Sequence, residues 1–600
     1  MTSIVKCLAA LALAVFIAAP AALCSEAEDS GVPGDLAVAT VLTEDTVRRY
    51  NVRDIVELLN LLPGVSASKT GVTVQGSSSK TVAVILDGRP LFNPASGKVY
   101  LSGIPVQSIK EVRLIQGPEA AAYVGNTSGG VIVITSKKGK REYVNKVDVA
   151  YGFATSQPEY GAGQPYYYER KRAEGNLGAQ LGEAGLFVNL LADLDDGDRV
   201  NDHADKLALK ANVDFPLAGM QATVSGQVSD EDSGDPGKEY RLTPESESST
   251  FEWGSSFVLR GESFRNRLYA NSFHDETANP ASDLFKELDS RVLGEEARWS
   301  GSLLGVSRLT FSGNVEYREI ESNDYGDKDE TVGAVSVVKE FRPARNWSVT
   351  TGLKTNLYTE HDAQANPQLT VAWTPGALSV SLLLERASTM PTFDQRYYQS
   401  TSRLANPGLS LETVYSAKLP VNHKVCEYIS WGVTPFFIRE RDKIEYYRFA
   451  GLPKGHPDYG KAMYRNLSST TTWGANVTGT VKPLSGLSLD VEYQYMEAKD
   501  DDTDNYLFQK PRHKAKLRFR HEMGPLVSLV EAEYRGSRYD DSKNQWELPH
   551  QWTLDAKVDY TLGDWTLYAE FDNIFDRRYT VYRGWPGERR TMLFGVAYEF

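Results

Sequence analysis

Residues 552–560 read WTLDAKVDY and residues 565–572 read WTLYAEFD. In the first run, Trp552, Leu554, Ala556, Val558 and Tyr560 alternate with Thr553, Asp555, Lys557 and Asp559. In the second, Trp565, Leu567, Ala569 and Phe571 alternate with Thr566, Tyr568, Glu570 and Asp572. Successive side chains on a strand point to opposite faces, so a period of two predicts strands with one apolar and one polar face. The same period runs through 487–495 (LSLDVEYQY) and 514–520 (KAKLRFR). It returns at the carboxyl end, at Met592, Phe594, Val596, Tyr598 and Phe600.

A secreted β-sandwich would alternate in the same way, with its polar face outward. Two features favour the opposite sense. Lys6 precedes an apolar run from Leu8 to Leu23, followed by small residues, which reads as an export signal over residues 1–25. Aromatic residues also close many apolar faces, as at Trp552, Tyr560, Trp565 and Phe571, where a membrane barrel places its interfacial girdles. In such a barrel the apolar face meets lipid and the charges line the lumen. A Lys or Arg turned to mid-bilayer lipid costs ~2–4 kcal/mol, so the register is strongly enforced. Polar stretches such as Ser229–Glu252 and Asp500–Asp504 are expected as extracellular loops.

Composition excludes several other classes. Charged residues make up 24% of the 600, which rules out a bundle of apolar membrane helices. The net charge is −14, which argues against nucleic acid as a partner. Three cysteines support neither a disulfide framework nor a cysteine metal cluster. No P-loop, Gly-x-Ser-x-Gly or His-Glu-x-x-His sequence occurs, so the chain is not expected to be an enzyme and has no predicted catalytic residue or metal site. The eight histidines show no ligand spacing along the chain. The acidic run Asp193–Asp205 is a candidate structural calcium loop, although Gly197 falls where a third ligand belongs; a solvated loop is the plainer reading.

The chain divides near residue 140. Residues 26–35 hold four acids and no base, residues 36–140 hold 12 basic and 7 acidic residues, and all ten Trp lie beyond 140. The expected parts are a signal peptide (1–25), a periplasmic segment (26–40), a small α+β domain (41–140) and a transmembrane barrel (141–600). A membrane strand needs ~9–11 residues, so a strand with its share of loops takes roughly 20. The 460 residues of the last part therefore suit roughly 22 strands, even numbers being the rule. So wide a barrel would leak unless filled, and the small domain is the right size to fill it.

The small domain carries a family resemblance. Residues 43–65 read TEDTVRRYNVRDIVELLNLLPGV, with Asp54 as N-cap, Ile55, Leu58, Leu59 and Leu62 at helical spacing, and Pro63–Gly64 as the stop. There follow VTVQGSSSKTVAVILDGRPL (72–91), IPVQSIKEVRLIQGP (104–118) and YVGNTSGGVIVITSKK (123–138). Gly88, Gly117, Gly129 and Gly130 sit at strand ends, where a positive φ or close backbone approach is expected. These phrases, in this order, resemble the plug domain of TonB-dependent outer-membrane receptors. Asn406, Pro407, Leu409 and Glu412, the strand FFIRERDKIEYY (436–447) and the closing stretch 572–600 are similar to the family's barrel.

The resemblance implies an all-β fold: a roughly 22-stranded antiparallel barrel in the bacterial outer membrane, plugged by an N-terminal α+β domain. It implies active import of a large scarce nutrient, no cofactor, a monomer embedded in outer-membrane lipid, and coupling to a TonB-type protein in the periplasm. The aromatic Phe600 is similar to the carboxyl end by which such barrels meet their assembly machinery. A TonB box is degenerate here; Asp35, Leu36, Ala37 and Val38 are the nearest match. Candidate ligand contacts lie on the plug loops: Ser77, Ser78, Ser79 and Lys80, and then Phe92, Asn93, Lys98 and Tyr100. Aromatic faces with a few placed polar groups suit a large amphipathic ligand. Packing of Phe92 and Tyr100 within the plug is the alternative. The layout is most similar to the family's cobalamin receptors, which points to a corrinoid; a ferric siderophore or haem is the runner-up, and a passive porin or adhesin barrel lacks a use for the plug motifs.

Overall fold

The computed structural model describes residues 40–123, 125, 127–139, 145–155, 167–303, 307–448, 456 and 458–600. The export signal and the Asp35–Val38 segment lie outside these residues. Twenty-two antiparallel crossings form a closed barrel. The first strand, Lys146–Thr155, pairs with the last, Thr591–Glu599, so the sheet has no free edge. One crossing is split: Glu412–Lys418 and Val421–Cys426 both pair with Ile429–Arg448, and Pro420, which has no N–H to donate, lies in the break.

The faces are inverted relative to a soluble sheet. Val558, Tyr560, Leu567 and Phe594 are exposed, whereas Lys210, Arg267, Glu385 and Lys557 are buried inside the ring. Connections alternate between tight turns, such as Ala218–Gly219 with both φ values positive, and long excursions such as 390–411 and 573–590. The tight turns share an end with the start of the first strand and the end of the last, which makes it the periplasmic end. The strands run further than sequence alone indicates. Ser229–Gly234 and Glu247–Glu252 are still paired sheet, Asp230 facing Phe251 for example, so the excursion proper there is 235–246. Their polar composition reflects wall above the lipid, not loop.

The lumen holds a five-stranded sheet in the order Thr40–Thr43, Ile109–Ile115, Gly130–Ser136, Val82–Leu86, Arg89–Pro90. A hairpin, Val65–Ser68 with Gly71–Val74, stands beside it. Asp54 caps the helix Ile55–Leu59 by accepting from Glu57 N at 2.8 Å. Ile55, Leu58, Leu59 and Leu62 are buried in the core of this domain, as helical spacing requires, although the helix ends at Leu59 and Leu62 follows in a turn. Gly88 has φ +96°, and a Cβ there would meet Arg267 Cδ at 2.8 Å. Gly129 keeps an ordinary φ but is needed for approach, since its Cβ would lie 2.7 Å from Val82 Cγ2.

Candidate functional site

The plug meets the wall through groups that the sequence motifs supply. In the stretch Leu86–Pro90, the Asp87 carboxylate accepts from Ser136 N and Oγ at 2.8 and 2.5 Å and pairs with Lys210 Nζ at 2.5 Å. Burial pushes the Asp87 carboxyl up; Lys210 and Ser136 outweigh it and hold it below the usual carboxylate range. Arg89 reaches Glu252 at 3.1 Å and Asn271 at 3.0 Å. Nearer the periplasm, Arg53 faces three barrel carboxylates: Glu570 at 2.6 Å, Asp148 at 3.1 Å and Asp559 at 3.6 Å. Its guanidinium also lies 3.6 Å over the Tyr568 ring. Lys557 pairs with Glu57 of the plug at 2.6 Å.

The plug's outward end carries the hairpin tip, residues 77–80 and residues 92–102. Ser77 is buried, and its Oγ accepts from Val74 N at 3.1 Å. Lys510 donates to the carbonyls of Gly76 and Ser77 at 2.7 and 3.3 Å. Ser78 caps the short turn Ser79–Thr81. Asn93 is fully buried; its Oδ1 accepts from Ala95 N, and its Nδ2 donates to Asp275 of the wall at 3.3 Å. Tyr100 OH donates to the same carboxylate at 3.1 Å, and its ring lies 5.7 Å from that of Phe273. Lys98 is exposed. The structure thus puts Ser77, Asn93 and Tyr100 into plug–wall and plug–plug bonds.

Lys80 and Phe92 instead share a cavity of about 110 Å³ with Arg318, Tyr358, Met390 and Thr392. The Arg318 guanidinium lies 5.5 Å over the Phe92 ring. Burial pushes the Lys80 ammonium below its ordinary value, against Glu412 and Asp394. A wider space of about 280 Å³ lies at the outer end of the wall, between Glu533, Arg535, Trp552, Asp555, Tyr579 and Glu588. The excursion after Thr389 folds inward: its helix Phe393–Tyr397, capped by Thr392, packs Phe393 on Ala95, and Asp394 N donates to Ala95 O at 2.9 Å. Arg318, Tyr358, Met390 and this helix were not singled out in the sequence, because only the closed ring brings them to the plug.

The acidic run Asp193–Asp205 is not gathered around a centre. Asp193 pairs with Arg170 and Arg172 at 2.8 and 3.1 Å, and Asp195 with Arg170 at 3.6 Å. Asp196 and Asp198 accept from the backbone amides of Glu169 and Arg589. Among the described residues, His274, Glu287 and Asp289 bring donor atoms within 4.8 Å of one another. They come from two neighbouring strands, so chain spacing could not reveal them, and His274 Nδ1 is 3.1 Å from Asp289. Phe273 and Asp275 point inward, so this group lies on the outer wall, away from the lumen.

A closed barrel encloses a plug tied to its wall, with two cavities toward the outer end. A family profile described as "TonB dependent receptor-like, beta-barrel" matches residues 144–574, and one described as "TonB-dependent Receptor Plug Domain" matches residues 35–131. The chain belongs to the TonB-dependent receptor family. It is therefore an outer-membrane receptor, not an enzyme, and its family couples to TonB in the periplasm. The "Vitamin B12 transporter BtuB" of Photobacterium profundum is 23% identical over 591 residues, covering 94% of this chain and 93% of that one. The protein of the same name from Vibrio cholerae is 22% identical over 597 residues, with the same coverage. Among solved structures, the ferric enterobactin receptor PfeA of Pseudomonas aeruginosa is similar with a TM-score of 0.79 at 15% identity, covering 94% of this chain and 98% of that one. The siderophore receptor PirA of Acinetobacter baumannii gives 0.76 at 12%, with the same coverage. These receptors share the fold.

Proposed function

We propose that this TonB-dependent receptor captures a corrinoid of the cobalamin type at its outer face and imports it by energised displacement of the plug. The observation that carries this reading is the likeness to vitamin B12 transporters along 94% of the chain. A ferric siderophore is the second reading, favoured by the shared fold with the enterobactin receptor; haem is a third ligand of the same size class. Ser77–Lys80, Phe92, Asn93, Lys98 and Tyr100 are the proposed ligand-facing loops, with Lys80 and Phe92 best placed because they line a cavity.

The proposal extends to the division 1–25, 26–40, 41–140 and 141–600, to a TonB contact at Asp35–Val38, to recognition of Phe600 by the assembly machinery and to a monomeric state. It includes no resident cofactor; calcium at Asp193–Asp205 would have to compete with Arg170 and Arg172. The physical logic is that the outer membrane offers neither nucleotide nor ion gradient. A ligand bound tightly outside then needs work delivered from the periplasm to leave on the other side. Radiolabelled cobalamin and a ferric siderophore, each offered to cells with and without the inner-membrane energising complex, test the reading. Cobalamin uptake that requires the complex is expected. Uptake that persists without it removes the active mechanism, and energised uptake of the siderophore alone replaces the ligand.

A further inference from the structure

Three arginines stand side by side on the lumen wall near its periplasmic rim. Arg260 lies directly opposite Arg265 across one strand pair, and Arg265 directly opposite Arg298 across the next. The row continues to Gln221 on one side and to Ser312 and Ser336 on the other, with no carboxylate in it. Arg260 and Arg265 flank the tight turn 261–263, which sets the height. Arg298 donates to Ala122 O of the plug, and Arg267, on the next rung and the same face, reaches Gly88 O, so the whole row looks inward at the plug.

Like charges directly opposite in a sheet repel. Here the acid directly beside them is Glu296, which Arg267 and Arg298 already share; Asp214, on the rung of Arg267, stands three strands away. Arg267 and Arg298 also flank the Tyr123 ring of the plug, at 5.7 and 4.4 Å, which adds π electrons but no negative charge. The Nε atoms of Arg265, Arg267 and Arg298 are all buried without a hydrogen-bond partner, although Arg267 is only 1% exposed. Arg265 forms no ion pair or hydrogen bond among the described residues. Exposure falls from Arg260, which is open, through Arg265 to Arg267, so the row descends from the periplasmic mouth to the plug.

The geometry points to an anion-binding site on the periplasmic side of the plug, formed by Arg260, Arg265 and Arg298 with Arg267 behind them, and taking a phosphate-class oxyanion. Guanidinium forks match phosphate oxygens two at a time, and three registered forks offer a tetrahedral anion more donors than the protein satisfies. The site is distinct from the outward cavities and does not depend on which nutrient is carried. Its anion is a free phosphate or a phosphate group on the ligand as it leaves beneath the plug.

Inorganic phosphate titrated into the purified full-length receptor in neutral detergent micelles, followed by ³¹P NMR line broadening, tests the site. One saturable, salt-sensitive site is expected. Arg265→Gln and Arg260→Gln each weaken it tenfold or more, while Lys482→Gln, on a remote periplasmic turn, leaves it unchanged. Arg260 is exposed, so its variant carries the test if Arg265→Gln fails to fold. Repeating the titration with cobalamin, which bears a phosphodiester, distinguishes the sources: competition with phosphate assigns the site to ligand exit, and no competition assigns it to free phosphate. Absence of saturable phosphate binding, or equal binding by both arginine variants and wild type, overturns the proposal.

Discussion

The two ends of the plug are fastened by different chemistry. Toward the periplasm the contacts include ion pairs of half-buried and buried groups, Arg53 with Asp148, Asp559 and Glu570, and Lys557 with Glu57, beside hydrogen bonds such as Tyr50 OH to Asp490 at 2.7 Å. Toward the outside, hydrogen bonds in which one partner is neutral predominate: Tyr100 and Asn93 to Asp275, Ser102 to Glu231 at 2.6 Å, and Lys510 to two carbonyls, with Arg89–Glu252 as an ion pair among the described plug–wall contacts there. Removing one member of a buried ion pair strands the others, at about 3–5 kcal/mol, whereas a single hydrogen bond to a charged group is worth about 1.5–3 kcal/mol. The inner end is thus the lock and the outer end the adjustable face. On the proposed function, a ligand arriving outside meets contacts it can exchange for its own, while the ion pairs around Arg53 lie on the side where the family couples to TonB.

Several substitutions would break or sharpen this contrast. Arg53→Ala leaves three wall carboxylates without their shared cation and is expected to cost about 3–5 kcal/mol of plug anchoring. Hydrogen exchange of residues 44–62 should accelerate at least a hundredfold, with single-channel recordings showing openings that wild type lacks. Unchanged exchange would erase the difference between the ends. Asp87→Asn leaves the buried Lys210 without its counter-charge while keeping a Ser136 acceptor, and about 3 kcal/mol of thermal stability should be lost. Asp275→Asn weakens the outer anchor of Tyr100 and Asn93 by about 1 kcal/mol. Its effect should appear in ligand affinity measured on whole cells, not in channel openings. Lys98→Ala, at an exposed position, should shift affinity by no more than about threefold, the size of a weak surface charge contact.

Much of the fold was legible because lipid imposes a simple rule on the wall. The alternation at 552–560 survives as Lys557 turned to the plug and Val558 turned to lipid. The capped helix at Asp54 and the Asp87–Gly88–Arg89 turn were legible because local chemistry defines them. Strand ends were less so: Ser229–Gly234 is polar on both sides, since wall above the bilayer has no apolar face to show. The site was harder still. Asn93 and Tyr100 can be proposed as ligand contacts from the chain alone, but their bonds to Asp275, about 180 residues away, are visible only once the barrel closes. The arginine row is invisible in sequence for the same reason, because its members come from three strands and only register aligns them.

Import by the proposed mechanism requires the plug to move relative to the wall. A Cβ built on Gly103 of the plug would lie 2.8 Å from Ser229 Cβ of the barrel, about 1 Å nearer than the ~3.8 Å a disulfide spans, so after a small outward shift of this plug loop the double variant Gly103→Cys/Ser229→Cys can tie the two together. Uptake by energised cells of the nutrient that the reduced form imports should stop when the bond forms and return on adding reductant, with surface binding retained throughout. Uptake at the wild-type rate with the bond intact would contradict the account.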